Sequence, residues 1–267
     1  KVYQLSATVG RGYAGQAVCG NLALLNVKSL IHFDDTPASS GRVLGLHMDG
    51  TNGSTTFTDV AGKTVTANGN AQISTAQYPS LTGKTSSALL DGADDYLSVP
   101  DSADWDFGTG DFTVRMRVRF ASVSSVMTLI GNYQDSTTGW ALQYRNDTGT
   151  IRFGNGDTAL LDVSWSPSIN TWYDLEVSRA GTSLRAFVDG TQVGSTVTNS
   201  TNITGSTNPL LIGALFVGGS YIQDFNGYLS EIEVYKGTAL HTGNFTPSGF
   251  PFSDAAQSII DAAQNAV

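Results

Sequence analysis

The stretch Asn170-Thr-Trp-Tyr-Asp-Leu-Glu-Val-Ser-Arg-Ala-Gly-Thr-Ser-Leu-Arg-Ala-Phe-Val-Asp-Gly-Thr-Gln-Val193 decides the fold class. Trp172, Asp174, Glu176 and Ser178 alternate with Tyr173, Leu175, Val177 and Arg179. A strand repeats every two residues, so the two sets face opposite sides of a sheet. Ala180-Gly181-Thr182 turns the chain, residues 184–188 form the next strand, and Asp189-Gly190 turns it again. Asp-Gly between apolar runs signals a hairpin, because a type I′ turn needs positive φ at both central residues.

Working outward, Asn52-Gly53, Asn68-Gly69, Asn155-Gly156 and Asn226-Gly227 are further turn signals. Residues 141–153 read as a hairpin closed by Asn146-Asp147-Thr148-Gly149. Many short strands with frequent turns predict an all-β sandwich of two antiparallel sheets with jelly-roll connections. The 267 residues suffice for one large β domain and a small extra element. Both flanks depart from the pattern. Residues 1–42, with Gly10, Gly12, Gly15 and Gly20 and the linker Asp34-Asp35-Thr36-Pro37-Ala38-Ser39-Ser40-Gly41, predict an extended N-terminal docking arm. Residues 253–267 carry Ala255, Ala256, Ile259, Ile260, Ala263 and Val267 at near-helical spacing, with Ser253 as N-cap and Asp254 in the first turn. They predict a short C-terminal helix that needs a neighbour to pack on. The division is therefore 1–42, 43–252 and 253–267.

Net charge of −9 disfavours nonspecific nucleic-acid binding. Arg115, Arg117 and Arg119 share one strand face, read first as a solvated face and second as a contact for an acidic partner or an anionic glycan. Cys19 is the only cysteine, so no disulfide forms within the chain. No apolar run reaches membrane-spanning length, and Arg11, Asn21 and Asn26 interrupt any signal-peptide core in residues 1–30. The G-x-G-x-x-G of residues 10–15 lacks the βαβ context that a nucleotide site requires.

Five blocks follow one another in order: Leu46-His47-Met48-Asp49-Gly50; Ser87-Ala88-Leu89-Leu90-Asp91-Gly92 with Tyr96-Leu97-Ser98-Val99-Pro100; residues 111–120; the opening stretch; and residues 227–235 with Ala239-Leu240. Together, over residues 43–252, they resemble the laminin-G-like branch of the concanavalin A-like lectin/glucanase superfamily. The resemblance implies a concanavalin A-like jelly roll. Glucan-cleaving members place three carboxylates on one strand as E-x-D-x-x-E. Here the close pair is Glu231 and Glu233 in the closing block, read as two exposed strand carboxylates, so no enzyme is expected. His32, His47 and His241 show no metal-protease spacing, and His47 reads as a partly buried strand histidine.

Members of the superfamily often hold calcium at the sheet rim. The acidic loop Asp91, Asp94 and Asp95 is the candidate for such a site, against the plainer reading of carboxylates bonding their own turn. Sugar rings stack on aromatic faces, which makes Tyr133, Trp140, Trp105 and Tyr221 the ligand candidates; Trp172 reads as core. The first functional expectation is a non-enzymatic virion structural protein of a bacteriophage, a head-decoration or tail-fibre component. It rests on phrases such as residues 47–59 and 97–113, similar to laminin-G-like domains of tailed-phage genes. On that reading residues 1–42 and 253–267 dock on other virion proteins in a homo-oligomeric assembly. The alternative is an extracellular or cell-surface carbohydrate-binding adhesin module with glycan partners. Neither nucleic acid nor membrane insertion is expected.

Overall fold

The computed structural model describes residues 41–254. The predicted docking arm up to residue 40 and the predicted helix from residue 255 lie outside these residues. Seventeen strands form among the described residues: β1 (Arg42–Leu46), β2 (Thr66–Asn68), β3 (Gln72–Ser74), β4 (Ser87–Asp91), β5 (Tyr96–Val99), β6 (Phe112–Phe120), β7 (Met127–Gly131), β8 (Trp140–Arg145), β9 (Thr150–Asn155), β10 (Thr158–Ser164), β11 (Trp172–Ala180), β12 (Ser183–Val188), β13 (Thr191–Thr198), β14 (Leu210–Ile212), β15 (Leu215–Val217), β16 (Ser220–Ile222) and β17 (Asn226–Lys236). An eight-stranded sheet runs β13-β12-β11-β6-β17-β4-β3, with β1 also on β17, and a seven-stranded sheet runs β10-β9-β8-β7-β14-β5-β2. Every pairing is antiparallel. The expected two-sheet sandwich is the observed fold.

The decisive stretch folds as its pattern dictates. β11 pairs β12 from Leu175 opposite Val188 to Ala180 opposite Ser183. Asp189 and Gly190 turn the chain with φ of 49° and 73°. The 141–153 hairpin is β8–β9, with Arg145 opposite Thr150. Asn226-Gly227, by contrast, does not turn the chain; both residues open β17.

Alternation fills the space between the sheets. Phe112, Val114, Met116, Val118 and Phe120 of β6 point inward, as do Trp140, Leu142 and Tyr144 of β8. Phe107, Phe112, Phe153 and Trp140 stack at one end of the core, while Phe120, Tyr144, Trp165 and Phe225 meet edge-on at the other. Arg179 is buried by the same parity. Its guanidinium is satisfied by Gly108, Gly110 and Thr201 carbonyls at 2.6–3.0 Å, tying two loops to β11.

One irregularity matters for the outer face. β17 advances from Ser230 to Glu233 while its partner β6 moves only from Arg117 to Arg115. The extra residue is a bulge, with Glu231 at φ 50°, where β17 exchanges β4 for β1 as its second neighbour.

Candidate functional site

The outward residues of the two sheets meet different fates. On the eight-stranded sheet, residues 238–254 cross the face as a strap. Thr113 Oγ1 accepts from Leu240 N and donates to Thr238 O, Arg117 donates to Ser248 O at 2.8 Å, and Phe252 N donates to Glu231 at 2.9 Å. Beneath the strap, Glu233 is fully buried, with Arg42 at 3.1 Å, Arg115 on its other oxygen and Tyr235 donating at 2.7 Å. Arg117 pairs with Asp174 at 2.9 Å and Lys84 with Glu231 at 2.7 Å. His47 bridges Glu231 and Asp254 and stacks on Phe252 at 3.9 Å. His241 bonds Glu176 at 2.8 Å and stacks on Phe245 at 3.5 Å.

Two expectations change here. Arg115 and Arg117 are partly buried, each matched to a sheet carboxylate, while Arg119 lies over Tyr228. Glu231 and Glu233 are buried rather than exposed, each held by cations, so neither can cycle a proton to a glycosidic oxygen. Asp254 closes the strap onto Arg42 at 2.7 Å. Burial pushes the Glu176 and Asp174 carboxyls above the usual range despite their cationic neighbours. Burial opposes the His47 cation, but Glu231 and Asp254 outweigh it and raise that group. A cavity of about 390 Å³ stays open beside the strap, lined by charges already matched within the fold.

The seven-stranded sheet keeps an open groove of about 260 Å³. Its floor is Ala141, Gln143 and Arg145 of β8 with Arg152 and Gly154 of β9, the residues that parity turns away from the core. One wall is the β15–β16 hairpin, through Leu215, Val217 and Ile222; the other is Tyr133 with Asp157. The Tyr133 wall is fixed by close backbone contacts. Gly156 N donates to Gly139 O at 2.7 Å and Asp157 N to Ser136 O at 2.8 Å. A Cβ on Gly156 would stand 2.2 Å from Ser136 O, so the loop can close only over glycine. Tyr133 donates to Asp157 at 2.9 Å, and burial together with that carboxylate pushes its phenol up to about 12. Gln143 donates to Gln223 at 2.6 Å, leaving its own amide oxygen without a protein partner.

Of the four aromatic candidates, the structure brings one to the groove. Tyr133 lines it, whereas Tyr221, 44% exposed, sits on the other face of the β15–β16 hairpin, stacked against Tyr96 at 4.3 Å and beside Phe216 at 5.0 Å. Trp105 and Trp140 are 0% exposed and present no face to a ligand. Trp140 donates to Trp105 O and Trp105 to Pro100 O, because β8 parity aims Trp140 inward. Trp172, read as core, is only half-buried; its neighbour Tyr173 packs against the core instead. The β15–β16 hairpin was not anticipated, although Gly218-Gly219 between short apolar runs is a turn signal.

The carboxylates of the acidic loop bond their own turn. Asp95 accepts Asn70 N at 2.6 Å on one oxygen and Asp91 N at 2.9 Å on the other, and Asp91 accepts Ala93 N at 2.9 Å. Asp94 is exposed at φ 63°. Among the described residues no group of three or more His, Cys, Asp or Glu is arranged to hold a metal.

Residues 91–242 match the Concanavalin A-like lectin/glucanases superfamily. The chain belongs to that superfamily. No curated protein sequence matches it. Among solved structures, this superfamily member is similar to domain 4 of AbnA, a GH43 extracellular arabinanase from Geobacillus stearothermophilus, in complex with arabinotriose. The identity is 16% and the TM-score 0.55, over 84% of this chain and 99% of that one. It is also similar to the binding domain of Paraclostridial Mosquitocidal Protein 1 (12% identity, TM-score 0.56, 84% of this chain and 52% of that one). The ganglioside-dependent botulinum neurotoxin type C structure gives 13% identity and a TM-score of 0.52, over 84% of this chain and 51% of that one. The chain therefore spans about half of those toxin structures. At such identities the likeness is one of fold.

Proposed function

We propose that the chain is a non-catalytic carbohydrate-binding module, its ligand held in the groove beneath the β15–β16 hairpin. The observation that carries this reading is the groove's combination of parts. Tyr133, Gln143 and Arg152 offer hydrogen-bonding groups, and Leu215, Val217 and Ile222 offer an apolar wall. Sugars need both polar groups for hydroxyls and apolar faces for ring C–H. The arabinotriose bound by the arabinanase domain of the same fold supports it.

These relatives favour an extracellular or cell-surface module over the virion component. The virion reading draws on residues 1–42 and 253–267; Arg42, Ser253 and Asp254 of these are tied into the sandwich, so we retain residues 1–40 and 255–267 as docking segments, whose removal should leave a folded, glycan-binding sandwich that no longer assembles. The test of the function is a glycan array probed with the wild-type chain and with Tyr133→Ala. Binding that falls at least about tenfold in the variant supports the reading, consistent with the loss of one well-packed aromatic contact in a small site. No binding to any glycan, or equal binding by both proteins, overturns it.

A further inference from the structure

The groove has an uncompensated charge. Two arginines line it. Arg145 is held bidentate by Asp147, at 3.1 and 2.6 Å. Arg152 has no ion pair among the described residues: one Nη donates to the Asp157 carbonyl, its Nε has no partner, and Asp162, directly across on β10, forms no bridge with it. The third carboxylate nearby, Asp157, accepts the Tyr133 hydroxyl. Arg42, Arg115, Arg117, Lys63 and Lys84 meet carboxylates within 4 Å. Arg119, Arg179, Arg185 and Lys236 form no ion pair among the described residues either, but of these unpaired cations Arg152 is the one that lines the groove.

The floor sets that half-buried guanidinium beside a residue with no side chain. Residue 154 is glycine, and a Cβ there would lie 3.6 Å from Arg152 Nε. Next to the unmatched donor stands an unmatched acceptor, the Gln143 amide oxygen, since its nitrogen is taken by Gln223 and Thr128. A fixed cation for a carboxylate beside an acceptor for a neighbouring hydroxyl is the donor pattern of an acidic sugar.

We infer that the groove selects a glycan bearing a carboxylate, such as a uronic acid, and that Arg152 is the residue that selects it. The inference rests on the glycan-binding reading above and narrows it. The test uses an array of neutral, uronate-bearing and sulfated oligosaccharides, with the bound glycans then re-measured after their carboxyls are reduced to alcohols. Hits should carry carboxylates, and reduction should weaken them at least about tenfold, the lower end for a hydrogen bond to a charged group. Arg152→Gln should bind acid and alcohol forms alike, while Arg152→Lys keeps part of the preference; thermal melts check that both variants fold. In the wild-type chain, the Arg152 Nε resonance should move on adding glucuronate and stay still with glucose. Hits on neutral or sulfated glycans, or a preference that survives Arg152→Gln, overturn the acidic-sugar inference and leave glycan binding standing. No binding to any glycan overturns both.

Discussion

On the eight-stranded sheet, β6, β11 and β17 present Arg115, Arg117, Glu176 and Glu233 to a strap that buries the carboxylates and half-covers the arginines; on the seven-stranded sheet, β8 and β9 present Gln143 and Arg152 to a groove that reaches solvent. The strand patterns are alike, an apolar inner set and a polar outer set. The difference lies in what crosses above. Residues 238–254 bring His241, Phe245, Phe252 and Asp254, which match the sheet's ions and stack on its histidines. The β15–β16 hairpin brings Leu215, Val217 and Ile222, which wall the other sheet but match nothing ionic. The first face is therefore structural and the second available.

The comparison is most easily broken at its buried ions. Glu233→Ala removes the shared partner of Arg42, Arg115 and Tyr235. Deleting one partner of a buried pair strands the other charges, so a loss of about 3–5 kcal/mol is expected, on the order of 10 °C in Tm. Arg152→Gln on the open face should shift Tm by less than about 2 °C, since this half-buried cation has no ion pair to lose. Equal effects at the two sites would contradict the contrast.

Titration sharpens it next. His47 is raised in the folded state, so its stabilisation is complete below its unfolded value near pH 6.5 and fades as pH rises through the folded one. Glu176 and Asp174 are also raised, so the fold binds their protons more tightly than the unfolded chain does, and stability again falls as pH rises through the raised values. All three shifts have one sign. Thermal melts should give a Tm a few degrees higher at about pH 5.5 than at about pH 8. His47→Gln should narrow that gap. A flat or reversed profile would show that His47, Asp174 and Glu176 do not govern the stability of this face.

The smallest effect belongs to the rim. A calcium site filled at a hundred times its Kd would add about 2.7 kcal/mol. Because Asp91 and Asp95 already accept backbone N–H groups, melting midpoints in millimolar calcium and in chelator should agree within about 1 °C. A clear rise with calcium would show that the loop rearranges to bind it.

How far the sequence could be read follows the range of each interaction. The β11–β12 and β8–β9 hairpins were legible because alternation and turn residues are local signals. The fate of Trp140 was not, because one residue of register at the start of β8 decides between the core and the loop rim, and only pairing with β7 and β9 sets it. Glu231 and Glu233 read as exposed because the bulge in β17 and the strap that covers it are made by partners 15 or more positions away, such as Phe252, Lys84 and Arg42. Of the groove, Tyr133 was found as a loop aromatic, whereas Gln143, Arg152 and Gly154 carry no motif and become a floor only when β8 and β9 pair.

The most direct test of the account compares glycan binding by two variants, one on each face. Ala141→Trp places an indole over the groove floor, and Phe250→Ala trims the 57%-exposed aromatic beside the strap cavity. Titration calorimetry with the strongest array glycan should show binding abolished by Ala141→Trp and unchanged by Phe250→Ala. The reverse pattern would move the ligand to the strapped face and contradict the central claim.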